Sequence, residues 1–283
     1  MPAARPARTL TGMTTDSMPE TFHLTPEAAE AYEARFVPAF FAQWAPRLLD
    51  AAGVAGGQRV LDVACGTGVV ARAAAERVGA AGSVAGVDLG EAMLAVARRV
   101  RADIEWRQGD AAALPYGDRE FDVVACQMAM MFFPDPGAAL REMCRVVRPS
   151  GTAGVLVPGA LRANRPYELF VDIVTRHAGA EARSLVTTYF ALGDIDQLAG
   201  LFTDAGLAVT AATNPVGESR FGSIDELVTI EIDSTPLGDR LDPVARERIL
   251  ADCRDALSRW QAEDGSLRFP FECNLVVARP SAA

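Results

Sequence analysis

Val60-Leu61-Asp62-Val63-Ala64-Cys65-Gly66-Thr67-Gly68-Val69-Val70-Ala71 reads as an apolar run of strand length, a turn with two glycines and the opening of a helix. Glycines in such a turn let the backbone approach a ligand closely, and the helix start leaves amide hydrogens pointing into the crevice at the strand's carboxyl end. Gly66-x-Gly68-x-x-Ala71 taken alone also satisfies the dinucleotide-binding fingerprint. Downstream, Val84 to Asp88, Ile104 to Gln108, Phe121 to Cys126 and Thr152 to Val157 repeat the strand pattern begun by Val60 to Ala64. Between them, Val69 to Val78, Glu91 to Arg101 and Pro136 to Val147 carry apolar residues at helical spacing. Strands alternating with helices in this way predict a parallel, doubly wound sheet.

Three further segments fall at the carboxyl ends of these strands, where such sheets bind ligands. Gly86-Val87-Asp88-Leu89 ends the second strand with a carboxylate able to accept hydrogen bonds from both hydroxyls of a ribose. Gln108-Gly109-Asp110-Ala111 follows the third, pairing an acid that could accept from an adenine amino group with a small residue that leaves room for a ring. Cys126-Gln127-Met128 follows the fourth. Asp122 enters that strand at the opposite end and reads as structural.

Ahead of the alternating region, residues 1–22 lack periodicity and are expected to form a disordered arm in which Met13 and Met18 would serve equally as starts. Thr25, Pro26 and Glu27 read as N-cap, first-position proline and dipole-matched acid, so lid helices are expected over 23–50, with Pro38 dividing them. The ligand-binding core is placed at 51–160 and a helical cap at 161–268, in which about 194–213 returns to the core. Within that region Pro166 to His177 and Ile195 to Ala205 read as helices, Leu207 to Thr213 as a strand, and Ile224 to Trp260 as helical with a break at Thr235 to Gly238. A closing strand and tail occupy 269–283.

Composition narrows the chemistry. All 27 basic residues are arginine, which removes Schiff-base and P-loop lysines and the Tyr/Lys pair of short-chain dehydrogenases. A formal charge of -10 opposes binding to a polyphosphate backbone, so no nucleic-acid partner is expected. The 5 scattered cysteines include no C-x-x-C pair and are joined by only 2 histidines, so neither a disulfide framework nor a metal site is expected. Without an apolar run of membrane-span length or a signal core, the chain reads as cytoplasmic with no membrane partner.

The motifs D-V-A-C-G-T-G, G-V-D-L, Q-G-D-A, F-D-V-V-A-C-Q and F-F-P-D-P followed by R-V-V-R-P-S-G occur in order and at matching spacing between Val60 and Val157. In these the chain resembles the class I S-adenosylmethionine-dependent methyltransferases, particularly the ubiquinone and menaquinone C-methyltransferase group and small natural-product methyltransferases. One departure is Ser150, standing where related sequences often have a second glycine. The resemblance implies an α/β, doubly wound Rossmann-like fold with a mostly parallel seven-stranded sheet, N-terminal helices and a helical cap insertion. It implies S-adenosylmethionine as cofactor and S-adenosylhomocysteine as product. Asp62 and Gly66, Thr67 and Gly68 would then border the methionine part, Asp88 the ribose, Asp110 and Ala111 the adenine, and Gln127 the sulfonium end. Ala64, Leu89, Met93, Gly109 and Cys126 complete the expected cofactor contacts.

Tyr32, Phe36, Phe40 and Trp44 recur every four residues, and core packing accounts for most of that stripe. A lid over the crevice also needs an aromatic face, and such a face stabilises a sulfonium by about 0.5–2 kcal/mol, which singles out Tyr32. Met128, Met131 and Phe132, with Phe36 and Tyr167, are expected to wall the site of a small, largely apolar methyl acceptor. If the acceptor must lose a proton, the candidates are His177, Tyr32, Tyr167, Tyr189 or a cap carboxylate. The cap helices cover either this site or a second copy of the chain, leaving a homodimer open. Two rivals stand beside methyl transfer: an NAD-type oxidoreductase, permitted by the glycine fingerprint alone, and a protein that keeps the cofactor site for cyclase-like catalysis or binding.

Overall fold

The computed structural model describes residues 25–233 and 237–281; the expected N-terminal arm, and Thr235 and Pro236 of the expected break at Thr235 to Gly238, lie outside the described residues, while Leu237 and Gly238 are helical. From Pro26–Ala31 (α1) the chain runs through a π-helical stretch, Tyr32–Phe41, into α2 (Trp44–Ala51). The Thr25 hydroxyl accepts from the Ala28 amide at 3.2 Å, with Pro26 in the first turn. Pro38 does not divide the segment as the sequence suggested but sits inside the π-helix. A proline ring clashes with the carbonyl four residues back in an α-helix, and the wider π turn moves that carbonyl away.

The core follows as β1 (Arg59–Val63), α3 (Val69–Val78), β2 (Ser83–Asp88), α4 (Glu91–Val100), β3 (Glu105–Gln108), β4 (Phe121–Gln127), α5 (Pro136–Val146) and β5 (Val147–Pro158). The cap comprises α6 (Arg165–Thr187), kinked at Gly179 where φ is +82°, and later α8 (Ile224–Asp233), α9 (Leu237–Arg240) and α10 (Pro243–Leu257). Between these, α7 (Ile195–Asp204) and β6 (Leu207–Thr213) return to the sheet, β7 (Val216–Phe221) follows, and β8 (Leu267–Pro280) closes the fold. The strand order is β3-β2-β1-β4-β5-β8-β6, parallel as far as β5 and antiparallel where β8 inserts.

An eighth strand departs from the expected seven. β8 begins at Leu267, and its first half pairs antiparallel with β7, from Phe221 opposite Leu267 to Val216 opposite Glu272. The alternation Phe221, Leu267, Phe269 and Phe271 buries one face of this ribbon against the cap. Gln43 joins the lid to it, its Nε2 donating to the Glu218 carbonyl at 2.7 Å while its Oε1 accepts from the Glu218 amide at 2.9 Å.

Trp106 on β3 fixes how closely the first two βα units pack. Its Nε1 donates to the Arg101 carbonyl at 2.8 Å, and its ring lies over Gly86 and Gly68. A Cβ on Gly86 would stand 2.4 Å from the indole, and one on Gly68, where φ is +88°, 2.2 Å. Gly68 is thus required by the indole as well as by the turn.

Gly86→Ala is expected to cost about 1–3 kcal/mol of stability through overpacking. Most of that cost should disappear when Trp106 is also shortened to Leu, measured by urea unfolding as a double-mutant cycle. Strictly additive costs would mean that the indole does not set this spacing.

Candidate active site

β1 lies between β2 and β4, so the chain leaves it in opposite directions on its two sides and opens a crevice beyond its carboxyl end. Gly68 caps α3 and has no side chain to offer the helix amides. Asp62, buried at the end of β1, takes that duty, accepting from the Ala71 amide at 2.9 Å. Asp88 binds the two neighbouring turns together: one carboxylate oxygen accepts from the Gly66 amide at 2.7 Å and the other from the Gly90 amide at 2.8 Å. Burial raises the pKa of both groups and so favours their protonated forms; Asp62 is pushed up to about 8, with Asp88 adding to the effect, and Asp88 is raised as well.

A cavity of about 540 Å³ opens over these turns. At one end Asp88, Leu89, Met93, Gly109, Asp110 and Ala111 form its wall; Asp62, Ala64, Cys65 and Gly66 floor the middle, with Gln127 and Met128 beside them. Ala64 and Met128 both have positive φ, 54° and 56°, so two non-glycine residues of the lining are held in a costly left-handed conformation. At the far end Phe36, Met131, Phe132, Tyr167 and Tyr189 meet Phe40, Phe190 and Phe271. Their rings interlock: Phe40 stands edge-on to Phe271 at 4.8 Å, Tyr167 to the same ring at 5.3 Å, and Phe132 to Tyr189 at 5.6 Å.

Tyr32 lines the cavity from the π-helical lid, stacked obliquely on Phe41 at 5.1 Å. Burial, together with the carboxylates of Asp88, Glu33 and Asp62, raises its hydroxyl well above the usual range, so it can donate a hydrogen bond but not take up a proton. The lid is held to the core by the Arg72–Glu33 ion pair at 2.8 Å and by the Gln127 amide, which donates to the Phe41 carbonyl at 3.1 Å.

Several expected residues lie elsewhere. His177 points away from the cavity toward α10, where it meets the Asp252 carboxylate at 2.8 Å. It joins two cap helices and is not placed to act as a base on a molecule in the cavity. Thr67, Gly68 and Cys126 are buried behind the lining, Cys126 with its thiol raised by burial. Asp110 lines the rim while capping its own turn, accepting from the Ala112 amide at 2.8 Å. Asp122 accepts from the Arg59 amide at 2.8 Å and pairs with Arg148, the structural duty expected of it.

The residue that sequence reasoning did not single out is Glu231 on α8, 3% exposed and lining the aromatic end of the cavity. The Tyr167 hydroxyl donates to its Oε1 at 2.8 Å. Burial pushes its carboxyl up to about 7, and the hydrogen bond from Tyr167 works in the opposite direction. Its signal in the sequence was an acid flanked on both sides by isoleucine in Leu227-Val228-Thr229-Ile230-Glu231-Ile232.

A methyltransferase-domain model matches residues 60–151, the region holding β1 to the start of β5. The demethylmenaquinone methyltransferase of Staphylococcus carnosus is 34% identical over 176 residues, covering 58% of this chain and 73% of that protein. The chain belongs to the class I S-adenosylmethionine-dependent methyltransferases. The demethylmenaquinone methyltransferase of Lactobacillus johnsonii is 35% identical over 119 residues, 40% of this chain and 49% of the relative. This chain thus spans about half the length of several such relatives. A crystal structure of a candidate methyltransferase from Bacillus halodurans shares the fold, with a TM-score of 0.58 and 21% identity over 84% of this chain and 99% of that one.

The family's cofactor is S-adenosylmethionine, and the cavity fits it. Gly66 has open space where a Cβ would stand, and the buried Gln127 Oε1, which belongs to the lining, has no hydrogen-bond partner among the described residues. Asp88 would hold the ribose, Asp110 and Ala111 the adenine, and Asp62 and Gly66 the amino-acid end.

Asp88→Asn is expected to weaken S-adenosylhomocysteine binding by about 10- to 150-fold, the loss of roughly 1.5–3 kcal/mol carried by a hydrogen bond to a charged group. Because the same carboxylate holds Gly66, calorimetry should be paired with thermal unfolding, and undiminished affinity would remove Asp88 from the site. A second outcome concerns pH. Asp62 at about 8 and Glu231 at about 7 lie above their ordinary values of 3.8 and 4.5, so the folded chain binds protons more tightly than the unfolded one. Their stabilising contribution is complete below pH ~4 and fades as pH rises through 7 to 8. The double variant Asp62→Asn, Glu231→Gln should flatten the fall in Tm between pH 5.5 and 8.5; an unchanged slope would show that neither group titrates there.

Proposed function

We propose that this chain transfers a methyl group from S-adenosylmethionine to a small, largely apolar molecule, a secondary metabolite methylated at oxygen or carbon. The observation that carries this reading is the continuity of one cavity from the Asp88 turn to the ring of Phe271. Its volume of about 540 Å³ falls inside the ~300–1,000 Å³ usual for small-molecule sites, with one polar end and one aromatic end. The demethylmenaquinone methyltransferase relatives support methyl transfer as the chemistry. The net charge of -10 supports a small acceptor over nucleic acid.

When bound, S-adenosylmethionine supplies an electrophilic methyl group on a positively charged sulfur. Asp88, Asp110 and Gln127 would fix its position by hydrogen bonds, and Tyr32 would close the lid over it. Met131, Phe132 and Phe271 exclude water and hold the acceptor by shape. Catalysis by alignment and desolvation suits a wall of this kind, because orientation alone can supply about 7–11 kcal/mol of a barrier. Two cysteines near the crevice, Cys65 and Cys126, have thiols raised by burial, so neither is prepared as a nucleophile.

Calorimetric titration with S-adenosylhomocysteine, with NAD as a parallel ligand, should give micromolar affinity for the former alone, about -8 kcal/mol. Binding of NAD alone would restore the oxidoreductase reading. Incubation with S-adenosylmethionine and a panel of ring-bearing acceptors should then release S-adenosylhomocysteine; product formed from an acceptor without that release would favour cyclase-like chemistry.

A further inference from the structure

Among the described residues that line the cavity, Glu231 is a carboxylate set among aromatic rings, and nothing in the binding of a nucleoside cofactor calls for it. Glu231 lies on α8 and lines the cavity together with Tyr167, Tyr189 and Phe271. A buried carboxylate is costly in such surroundings, and a fold that keeps one at a cavity wall exposes it to whatever occupies the cavity.

We propose that Glu231 is the general base of the reaction and that the acceptor is a ring-bearing molecule with a weakly acidic hydroxyl, a phenol or an enol, methylated on that oxygen. The inference rests on the methyl-transfer reading above. Tyr167 is a positioning residue: its hydroxyl donates to Glu231 Oε1 at 2.8 Å, and its ring is held edge-on by Phe269 and Phe271 at 5.8 and 5.3 Å. That bond orients the carboxylate in the cavity wall. Tyr189 also faces it, and both tyrosines are held protonated by burial and by Glu231 itself.

The chemistry balances without a further reactant. As the acceptor oxygen forms its bond to the methyl carbon, the carbon–sulfur bond breaks with its electron pair remaining on sulfur, and the hydroxyl proton passes to Glu231. A positive sulfur and a carboxylate are replaced by a neutral thioether and a carboxylic acid, which suits a cavity with an apolar wall. An amine acceptor fits less well, because a protonated amine would have to be desolvated among these rings and would hold Glu231 ionised instead of releasing a proton to it. A carboxyl poised near neutrality matches the range in which a base both ionises and accepts effectively.

The test uses the full chain with 1-naphthol, 2-naphthol and hydroxynaphthoquinones as phenol and enol probes, and naphthylmethylamine as the amine probe. Probe binding is measured by calorimetry in the presence of saturating S-adenosylhomocysteine, and turnover by release of S-adenosylhomocysteine. At least one hydroxylated probe should bind and be methylated. Glu231→Gln keeps the shape and an acceptor oxygen, so kcat should fall by about 10²- to 10⁴-fold with KM changed less than about threefold. The kcat/KM of the parent should rise with pH through about 7, and the variant should lack that limb. Tyr167→Phe should shift that limb to higher pH, since the bond it removes favours the ionised carboxylate. Affinity for S-adenosylhomocysteine should be equal in all three proteins, and Glu231→Gln should unfold at an equal or higher temperature at pH 8. Failure of S-adenosylhomocysteine to bind the parent would sink the methyl-transfer reading itself. With that binding intact, the present inference is overturned by full turnover in Glu231→Gln, by methylation of the amine alone, or by failure of every hydroxylated probe to bind.

Discussion

The Asp88 carboxylate holds together the parts of the site that come from different βα units. Its two oxygens accept from Gly66 and Gly90, so the turn after β1 and the turn after β2 are locked to each other at the carboxyl edge of the sheet. Both amides belong to helix approaches and would otherwise point into the crevice unpaired. The lock is possible only because β1 and β2 run side by side and in register, with Asp62 opposite Gly86 and Val63 opposite Val87. It also depends on Trp106, since the indole occupies the space that side chains at Gly86 and Gly68 would need. Sheet register, glycine placement and ligand crevice are therefore one constraint seen at three scales.

The other half of the cavity is assembled on a different principle. No local motif builds it: the lid contributes Phe36 and Phe40, the loop after β4 Met131 and Phe132, α6 Tyr167, α8 Glu231, and the early part of β8 Phe271. What brings these segments together is the extension of β8 beyond the sheet to pair with β7, which carries Phe269 and Phe271 under the cap. Gln43 then ties the lid to the same ribbon by bonding both main-chain groups of Glu218. The chamber is thus shaped by long-range packing of rings, with Glu231 and the hydroxyls of Tyr167 and Tyr189 among its polar groups.

This division explains what could be read from the chain and what could not. The core is written in local terms: Val69 to Val78 forms a helix with those bounds, Leu207 to Thr213 is a strand, and Asp62, Asp88 and Gly66 meet because each ends or follows a strand whose order is fixed by the doubly wound pattern. Pro38 misled because a proline was weighed against an α-helix and the chain adopts a π-helix. β7 escaped notice because Val216-Gly217-Glu218-Ser219-Arg220-Phe221 has only weak apolar alternation and gains its pairing from a partner about fifty residues away. His177 sits on the same helix as Tyr167, and its spacing from Phe170 and Val174 gave no hint that Gly179 would end the first arm and turn it toward Asp252. Glu231 was hidden for the opposite reason, being an acid in an apolar helix whose destination depends on the whole cap.

The two buried carboxylates that border the cavity differ in what their burial accomplishes. Asp62 accepts from the Ala71 amide, so part of its burial cost is offset by a helix start that no other side chain satisfies. Glu231 accepts from a tyrosine hydroxyl in an apolar wall, and a glutamine there would keep that bond while removing the cost of a charge. Stability gives a reason for Asp62 in the helix start it satisfies. A carboxyl raised to about 7 in a cavity wall can exchange a proton near neutral pH, and on the proposed mechanism this would give the aromatic chamber a chemical role beside its shape.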